Sequence, residues 1–280
     1  MSRGRRFELV PEIRAHYESG VETKRLLKGT SRLEFERTKH IVSRYLPTKK
    51  PAVILDVGGG PGHYARWLAG MGHTVHLVDP VPLHIKKARE IDDNSSRPLA
   101  SISLGDARAL DCHDECSDAV LMFGPMYHLI EKQERMAALS EALRVLKPGG
   151  VLFAAAISRF ASALDGSNRV LIRDPDFMRI VKRDLREGQH RNPKNHPQYF
   201  TTSFFHRPSE LESEISETGF KGVSVFAVEG FGALLPHFRK IWHDPILKGR
   251  LLRILEWTER EPSMVGVSEH LLGIGSKKRA

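Results

Sequence analysis

The sequence predicts an α/β fold, a doubly wound and mostly parallel sheet, and three observations carry that prediction. Short apolar runs alternate with amphipathic helical stretches from residue 52 to residue 157, the β-α-β-α order that builds a parallel sheet with crossover helices. The first run, Val53-Ile54-Leu55-Asp56-Val57, is apolar on both faces, as a strand covered by helices on each side requires. It empties into Gly58-Gly59-Gly60-Pro61-Gly62, where missing side chains let the backbone turn sharply and approach a ligand. The helix that follows aims its unpaired N–H groups at whatever sits over that turn.

Taken in order, residues 12–29 are loosely helical, with a break near Gly20. Residues 31–46 form a better amphipathic helix, with Ser31 as its cap, Glu34 three residues on, and Leu33, Ile41, Val42, Tyr45 and Leu46 on one face. Tyr17, in this leading segment, either covers a ligand or packs as a surface aromatic. After the first strand (52–57), a helix over 63–70 turns Tyr64, Trp67 and Leu68 inward. The second strand, Thr74 to Val78, ends at Asp79. A helix over 83–91 and a polar loop lead to the third strand (99–104), which ends in Gly105-Asp106-Ala107. The fourth strand, Ala119 to Phe123, ends in Gly124-Pro125-Met126-Tyr127-His128. A periodic helix over 131–146 carries Met136, Leu139, Leu143 and Leu146 on one stripe and passes through Lys147-Pro148-Gly149-Gly150 into the fifth strand, Val151 to Ile157.

Residues 158–206 break this rhythm. Asp174-Pro175 starts a helix that Gly188 ends, and a stretch rich in His, Asn and Pro follows. An insertion after the fifth strand lies at the ligand-binding edge of such a sheet and is suited to be a substrate lid. A helix over 208–218 precedes a sixth strand (223–228); a second helical insertion, 231–262, separates it from a seventh, His270 to Ile274. The expected organisation is an N-terminal helical cap (1–50), a cofactor-binding core (51–157), the inserted segment (158–206) and a C-terminal part of the core (207–280).

The glycine turn selects the cofactor. A dinucleotide fingerprint wants Gly or Ala where His63 stands. Here the glycines run Gly58, Gly60, Gly62, and Asp56 precedes them by two residues. A carboxylate there repels a pyrophosphate but favours S-adenosylmethionine (SAM), which has no phosphate and carries a sulfonium and an ammonium. Asp79, at a strand's carboxyl end, either accepts both ribose hydroxyls or caps the next helix ahead of Pro80 and Pro82. Asp106 is placed to accept an adenine amino group.

The formal charge of +9 raises nucleic acid as a partner, yet residues 1–50 hold 13 Lys/Arg against 6 Asp/Glu and Lys277-Lys278-Arg279 adds three more, leaving −1 for residues 51–276. That distribution reads as a solvated basic extension rather than a binding face on the folded body. Only the segment 159–194 is locally basic. The two cysteines, Cys112 and Cys116, are too few for a disulfide framework, and with His113 and Asp114 they lack the second ligand pair of a zinc site, so no metal is expected. No run is long and apolar enough for a membrane span, and no apolar segment follows the N-terminus, so the expected location is the cytoplasm.

Leu55-Asp56-Val57-Gly58-Gly59-Gly60-Pro61-Gly62, the acid Asp79, Gly105-Asp106-Ala107, and Arg144-Val145-Leu146-Lys147-Pro148-Gly149-Gly150-Val151 together resemble the class I SAM-dependent methyltransferases. The nearest patterns are the type 11 group and the ubiquinone/menaquinone C-methyltransferases. The resemblance covers residues 50–157 and, more loosely, 208–276. It implies a Rossmann-like sheet of seven strands with the last antiparallel. It also implies that Asp56, Gly58 and Gly60 hold the methionine portion, Asp79 the ribose, and Asp106 and Ala107 the adenine, with Gly62 also in the cofactor site. Phe123 and Gly124 would line the approach to the transferred methyl.

Methyl transfer from a sulfonium is an in-line displacement that needs orientation and exclusion of water; a base is needed only if the acceptor must shed a proton. His128 is the first candidate base, with a helix-start structural role as the alternative, and Tyr127 could orient or stack on an acceptor. His196, Tyr199 and His206 could reach the site from the insertion; Glu229 and His237 are further candidates. The expected function is methyl transfer to a small-molecule acceptor. The alternatives are an RNA or DNA methyltransferase, which the Phe123-Gly124-Pro125 sequence disfavours, and a non-catalytic SAM-binding module. The acceptor atom and the oligomeric state are not encoded in any motif.

Overall fold

The computed structural model describes residues 9–18, 26, 29–48, 50–194 and 196–279. The basic residues Arg3, Arg5 and Arg6 and the expected break at Gly20 lie outside the described residues. Nine strands are described: β1 (Val53–Val57), β2 (Thr74–Asp79), β3 (Ser101–Leu104), β4 (Ser117–Phe123), β5 (Leu146–Ser158), β6 (Gln189–His190), β7 (Ser203–His206), β8 (Lys221–Ala227) and β9 (His270–Ser276). Strands β1 to β5 pair in parallel in the order β3-β2-β1-β4-β5, and β9 lies antiparallel between β5 and β8. All seven expected strands are therefore present, with the last one reversed.

The helices are α1 (Pro11–Glu18), α2 (Ser31–Tyr45), α3 (His63–Gly70), α4 (Pro82–Asp92), α5 (Pro125–His128), α6 (Lys132–Val145), α7 (Ala161–Asn168), α8 (Pro175–Glu187), α9 (Pro208–Glu217), α10 (Phe238–His243), α11 (Pro245–Thr258) and α12 (Pro262–Val265). Successive strand residues divide between two cores, as the alternation of a pleated strand demands. Ile54, Leu121 and Phe153 pack with Ile41, Leu68 and Ile85 on one face of the sheet. Leu55, Val120 and Leu152 pack with Leu139, Ala142 and Leu211 on the other. This two-sided burial is why the central strands read as unbroken apolar runs.

Several local expectations are corrected. Ser31 is the first residue of α2, not its cap; Thr30 holds the cap position, without a side-chain cap bond. The buried stripe of α6 is Arg135, Ala138, Leu139, Ala142 and Val145, rotated from the Met136–Leu143 face because Arg135 turns inward. Its guanidinium lies 2.6 Å from the Glu214 carboxylate, and both side chains are almost wholly buried. Burial alone would raise the Glu214 carboxyl, but hydrogen bonds from His206 and Arg135 outweigh it and hold it at about 2. His206, expected to reach the site, is instead sealed into this network, 3.2 Å from Glu214.

The insertion after β5 is not purely helical. Asp174 caps α8 by accepting from Asp176 N–H, and Gly188 ends it in the left-handed conformation, as the sequence predicts. The chain then forms the small hairpin β6–β7. Strand β7 runs parallel to Ile157 and Ser158 at the tip of β5, two residues beyond Ala155, where β4 stops pairing. The hairpin thus extends the sheet past the end of β4 and lies over the carboxyl-end rim.

Candidate functional site

A cleft opens along that rim, walled by the turn after β1, the ends of β2, β3 and β4, and helices α1 and α2. The β1 turn is built on left-handed glycines: Gly58, Gly60 and Gly62 have φ of 75°, 57° and 88°. A Cβ on Gly58 would stand 2.7 Å from Pro125 Cδ, whereas one on Gly60 would meet only His84 Nδ1, at 3.9 Å. Gly58 is bare so that two turns can touch; Gly60 is bare toward the cleft. Gly62 sits below, at the N-cap of α3.

Asp79 ends β2 and lines the cleft. Its Oδ2 accepts from Gly60 N–H at 2.8 Å, and its Oδ1 from Val81 N–H at 2.9 Å with the His84 ring 3.0 Å away. Oδ1 thus has two neighbours and Oδ2 one, and a carboxylate oxygen accepts up to two hydrogen bonds, so Oδ2 has capacity for one further donor. Asp79 fastens the glycine turn to the start of α4, but the cap position of that helix belongs to Val81, without a side-chain cap bond. His84, on α4, carried no signal in the sequence.

Asp106 follows β3 and is clamped by its neighbour, with Arg108 Nε 2.9 Å from Oδ1 and an Arg108 terminal nitrogen 2.7 Å from Oδ2. Ala107 lies beside it on the cleft wall. Phe123 and Gly124, at the end of β4, line the floor, with Phe123 edge-on to Tyr64 at 4.9 Å. Asp56 does not reach the cleft. It is fully buried behind the turn, where a Cβ on Gly59 would come within 2.6 Å of its Oδ2. Burial, and then the neighbouring Asp79 charge, push its carboxyl up to about 7, with the Ala65 backbone N–H pulling weakly the other way.

At the outer end of the cleft, His128 lies among rings: Tyr127 at 4.6 Å, Tyr17 at 5.1 Å and Phe200 at 6.1 Å between centroids. Its Nε2 is hydrogen-bonded to the Tyr17 hydroxyl. Burial, with a smaller push from His16, holds the imidazole down at about 3, so it is neutral at ordinary pH. Tyr17 on α1 thus closes over the site, and Thr201 fastens α1 from the insertion side by donating to Glu12 O at 3.1 Å.

A second cavity adjoins the first and shares Tyr17, Tyr127 and His270 with it; the remainder of its wall comes from the tip of β5, from α7 and the insertion, and from Glu269, which precedes β9. Tyr199 belongs to this second wall and donates to Asp174 at 2.5 Å. His196 lines neither cavity; it stacks on Tyr199 at 4.1 Å. Glu229 is buried and engaged by Ser268 and by His270, whose Nδ1 is 2.5 Å from its Oε1. With Glu34 these form the single group of three among the described residues whose ligand-type atoms lie within 4.8 Å of one another. The sequence places Glu34 only at a helix start and His270 only at a strand start, and nothing in it singles out Glu269.

The arrangement fits SAM. A turn with one open glycine, Asp79 at the β2 end and the Asp56 carboxyl behind the turn set carboxyl groups where a pyrophosphate would need cations, and so suit a positively charged ligand outside the strands' carboxyl ends. These features define the class, a Rossmann-like α/β domain that binds an adenosyl cofactor. Residues 54–150, the stretch that holds the glycine turn, Asp79, Asp106 and the end of β4, match the family model described as "Methyltransferase domain". The chain is 33% identical over 112 residues to the ubiquinone/menaquinone biosynthesis C-methyltransferase of Acidiphilium cryptum, covering 39% of this chain and 44% of that protein. It is 34% identical over 118 residues to a human protein named "Probable tRNA methyltransferase 9B", covering 40% and 23%. The chain spans about half or less of the length of the curated relatives it matches. Among solved structures, a SAM-dependent methyltransferase of Methanosarcina mazei superposes with a TM-score of 0.57 at 18% identity, over 86% of this chain and 98% of that one.

Proposed function

We propose that the protein transfers a methyl group from SAM to a small-molecule acceptor held in the second cavity. The observation that carries this reading is the shared wall: Tyr17, Tyr127 and His270 face both cavities, so a ligand in one abuts a ligand in the other. Bound SAM would supply an electrophilic methyl on a sulfonium. The chain's own residues bind, orient and exclude water. Gly58 and Gly60 let the backbone approach, Asp79 accepts a ribose hydroxyl, and Asp106 and Ala107 border the adenine end. Phe123 and Gly124 bound the methyl end, with the Tyr17–His128 pair closing it from solvent. His128, neutral and already bonded to Tyr17, acts as a positioning residue more readily than as a base.

A nucleic-acid acceptor draws on the tRNA methyltransferase relative and on the basic segment 159–194. Against it, five of that segment's nine Lys/Arg are held in ion pairs: Arg159 with Glu210, Arg169 with Asp165, Arg179 and Lys194 with Asp176, and Arg186 with Glu187. The insertion also narrows the approach to the methyl end. Calorimetry with SAM and S-adenosylhomocysteine tests the cofactor half; one-to-one binding that Asp79→Ala weakens at least tenfold is expected, and no heat of binding would overturn it. Methyl-labelled SAM offered with total RNA and with a low-mass cell extract tests the other half. Label is expected in the low-mass fraction; label in RNA would overturn the small-molecule reading.

A further inference from the structure

We infer that the second cavity recognises an acceptor bearing a cationic amino group, and that Glu269 is the residue that receives it. This inference rests on the methyltransferase reading above and adds the acceptor's chemistry to it.

The polar groups of the cavity wall differ in how they are partnered. Arg169 donates to Asp165 at 2.9 Å and to Gln198 O at 3.2 Å. His190 has Nδ1 2.8 Å from Asp184 and Nε2 3.2 Å from Phe200 O. Tyr199 donates to Asp174. Each cation or donor in this set is already engaged within the protein. Glu269 is the contrast: its carboxylate is half-buried in the cavity wall and has no hydrogen-bond or salt-bridge partner among the described residues. Its backbone carbonyl is fixed by Ser158 N–H at 2.8 Å, which anchors the residue at the edge of β5 beside His270. An unanswered carboxylate in a partly dry wall favours a ligand that donates and carries positive charge.

The charges around it point the same way. Glu229 after β8, Glu34 on α2, Asp165 on α7 and His270 on β9 are the titratable groups that act on Glu269. Asp165 is balanced by Arg169, and His270 is shared between Glu229 and Glu34, so no spare cation among these groups answers Glu269. Burial, and then the Glu229 charge, raise the Glu269 carboxyl to about 7 against the opposing pull of His270, so the neighbouring anions outweigh the one cation beside it. The rest of the wall is ring surface from Phe177, Tyr199, Phe200 and Phe205, which suits a flat apolar body and the π-face contacts of a cation.

The test uses the full chain saturated with S-adenosylhomocysteine and three matched probes: 2-phenylethylamine, 2-phenylethanol and 3-phenylpropionate. Calorimetry is expected to show the amine binding at least tenfold tighter than the alcohol and the acid. Its affinity should rise between pH 6 and 8 as Glu269 ionises. Glu269→Gln should abolish both the preference and the pH dependence while S-adenosylhomocysteine still binds, which also reports that the variant is folded. Equal or weaker binding of the amine, or an amine preference that survives Glu269→Gln, overturns the inference. Failure of S-adenosylhomocysteine to bind the wild-type chain instead overturns the methyltransferase reading beneath it.

Discussion

Replacing Asp56 with Asn should stabilise the cofactor-free protein, and by an amount that depends on pH in one direction only. The wild-type carboxyl is held at about 7 in the folded chain against an ordinary 3.8. A carboxyl raised on folding favours the folded state fully below its unfolded value and loses that contribution as pH climbs to the folded one. Across that interval the loss is on the order of 4 kcal/mol, and discounting by about half for water reaching a buried charge leaves about 2 kcal/mol. The amide does not titrate, so its own burial cost shifts the baseline but not the slope. The variant-minus-wild-type stability should therefore be smallest near pH 4, grow to about pH 7 and then level off. For a chain this long the gain corresponds to roughly 3 °C in Tm. Urea unfolding of both proteins without SAM, at intervals between about pH 4.5 and 8.5, measures it. A flat difference across that range would refute the reasoning, since it would mean that Asp56 titrates as an ordinary, hydrated carboxyl.

Gly58→Ala and Gly60→Ala should separate packing from binding. Both put a Cβ on a left-handed residue, at about 1–2 kcal/mol, but only the first also collides with Pro125, so it alone should lower Tm markedly while both weaken S-adenosylhomocysteine. A pH–rate profile should show no step near 6.5 from His128, because its imidazole is held at about 3 and stays neutral from pH 5 to 9; a step in that range that vanishes in His128→Ala would contradict this. Arg135→Leu leaves the Glu214 carboxylate buried without its main partner and should cost about 3–5 kcal/mol in urea unfolding. With Glu214 held at about 2, the wild-type pair contributes stability above about pH 4.5 that is lost as pH falls toward 2; a loss of stability on raising pH through that range would reverse the assignment.

What could be read beforehand depended on how each element is specified. The core from β1 to β5 was legible because its strands are apolar on both faces and its glycines stand where the chain must turn. The hairpin β6–β7 was not, since strands of two and four residues are too short for any period to show. Arg37 and Arg135 are both nearly inaccessible, yet hydrophobic patterning assigns an arginine to the surface; only partners 222 and 79 residues away, Glu259 and Glu214, make their burial tolerable. In the site, the residues that follow strand ends on the β1–β4 rim, from Gly58 and Asp79 to Gly124 and His128, were found by position. Tyr17 was found as one of two alternatives, and the structure sets it against His128. Asp56 was read at the right place but on the wrong side of its turn, because its strand alternation was outweighed by the charge argument. His84, Glu34 and Glu269 were missed because each acquires its place only by tertiary contact.

Tyr17 is a wall of both chambers, and it hangs from a helix of eight residues. Helix α2 cannot peel away as readily, for Arg37 would then abandon Glu259 in the interior. The weaker seam is α1, and lifting it unroofs donor and acceptor together. On the function proposed above, loading and discharge of the two ligands would be one mechanical event, and an enzyme so built would trade independent exchange for simultaneous protection of both reactants from bulk water.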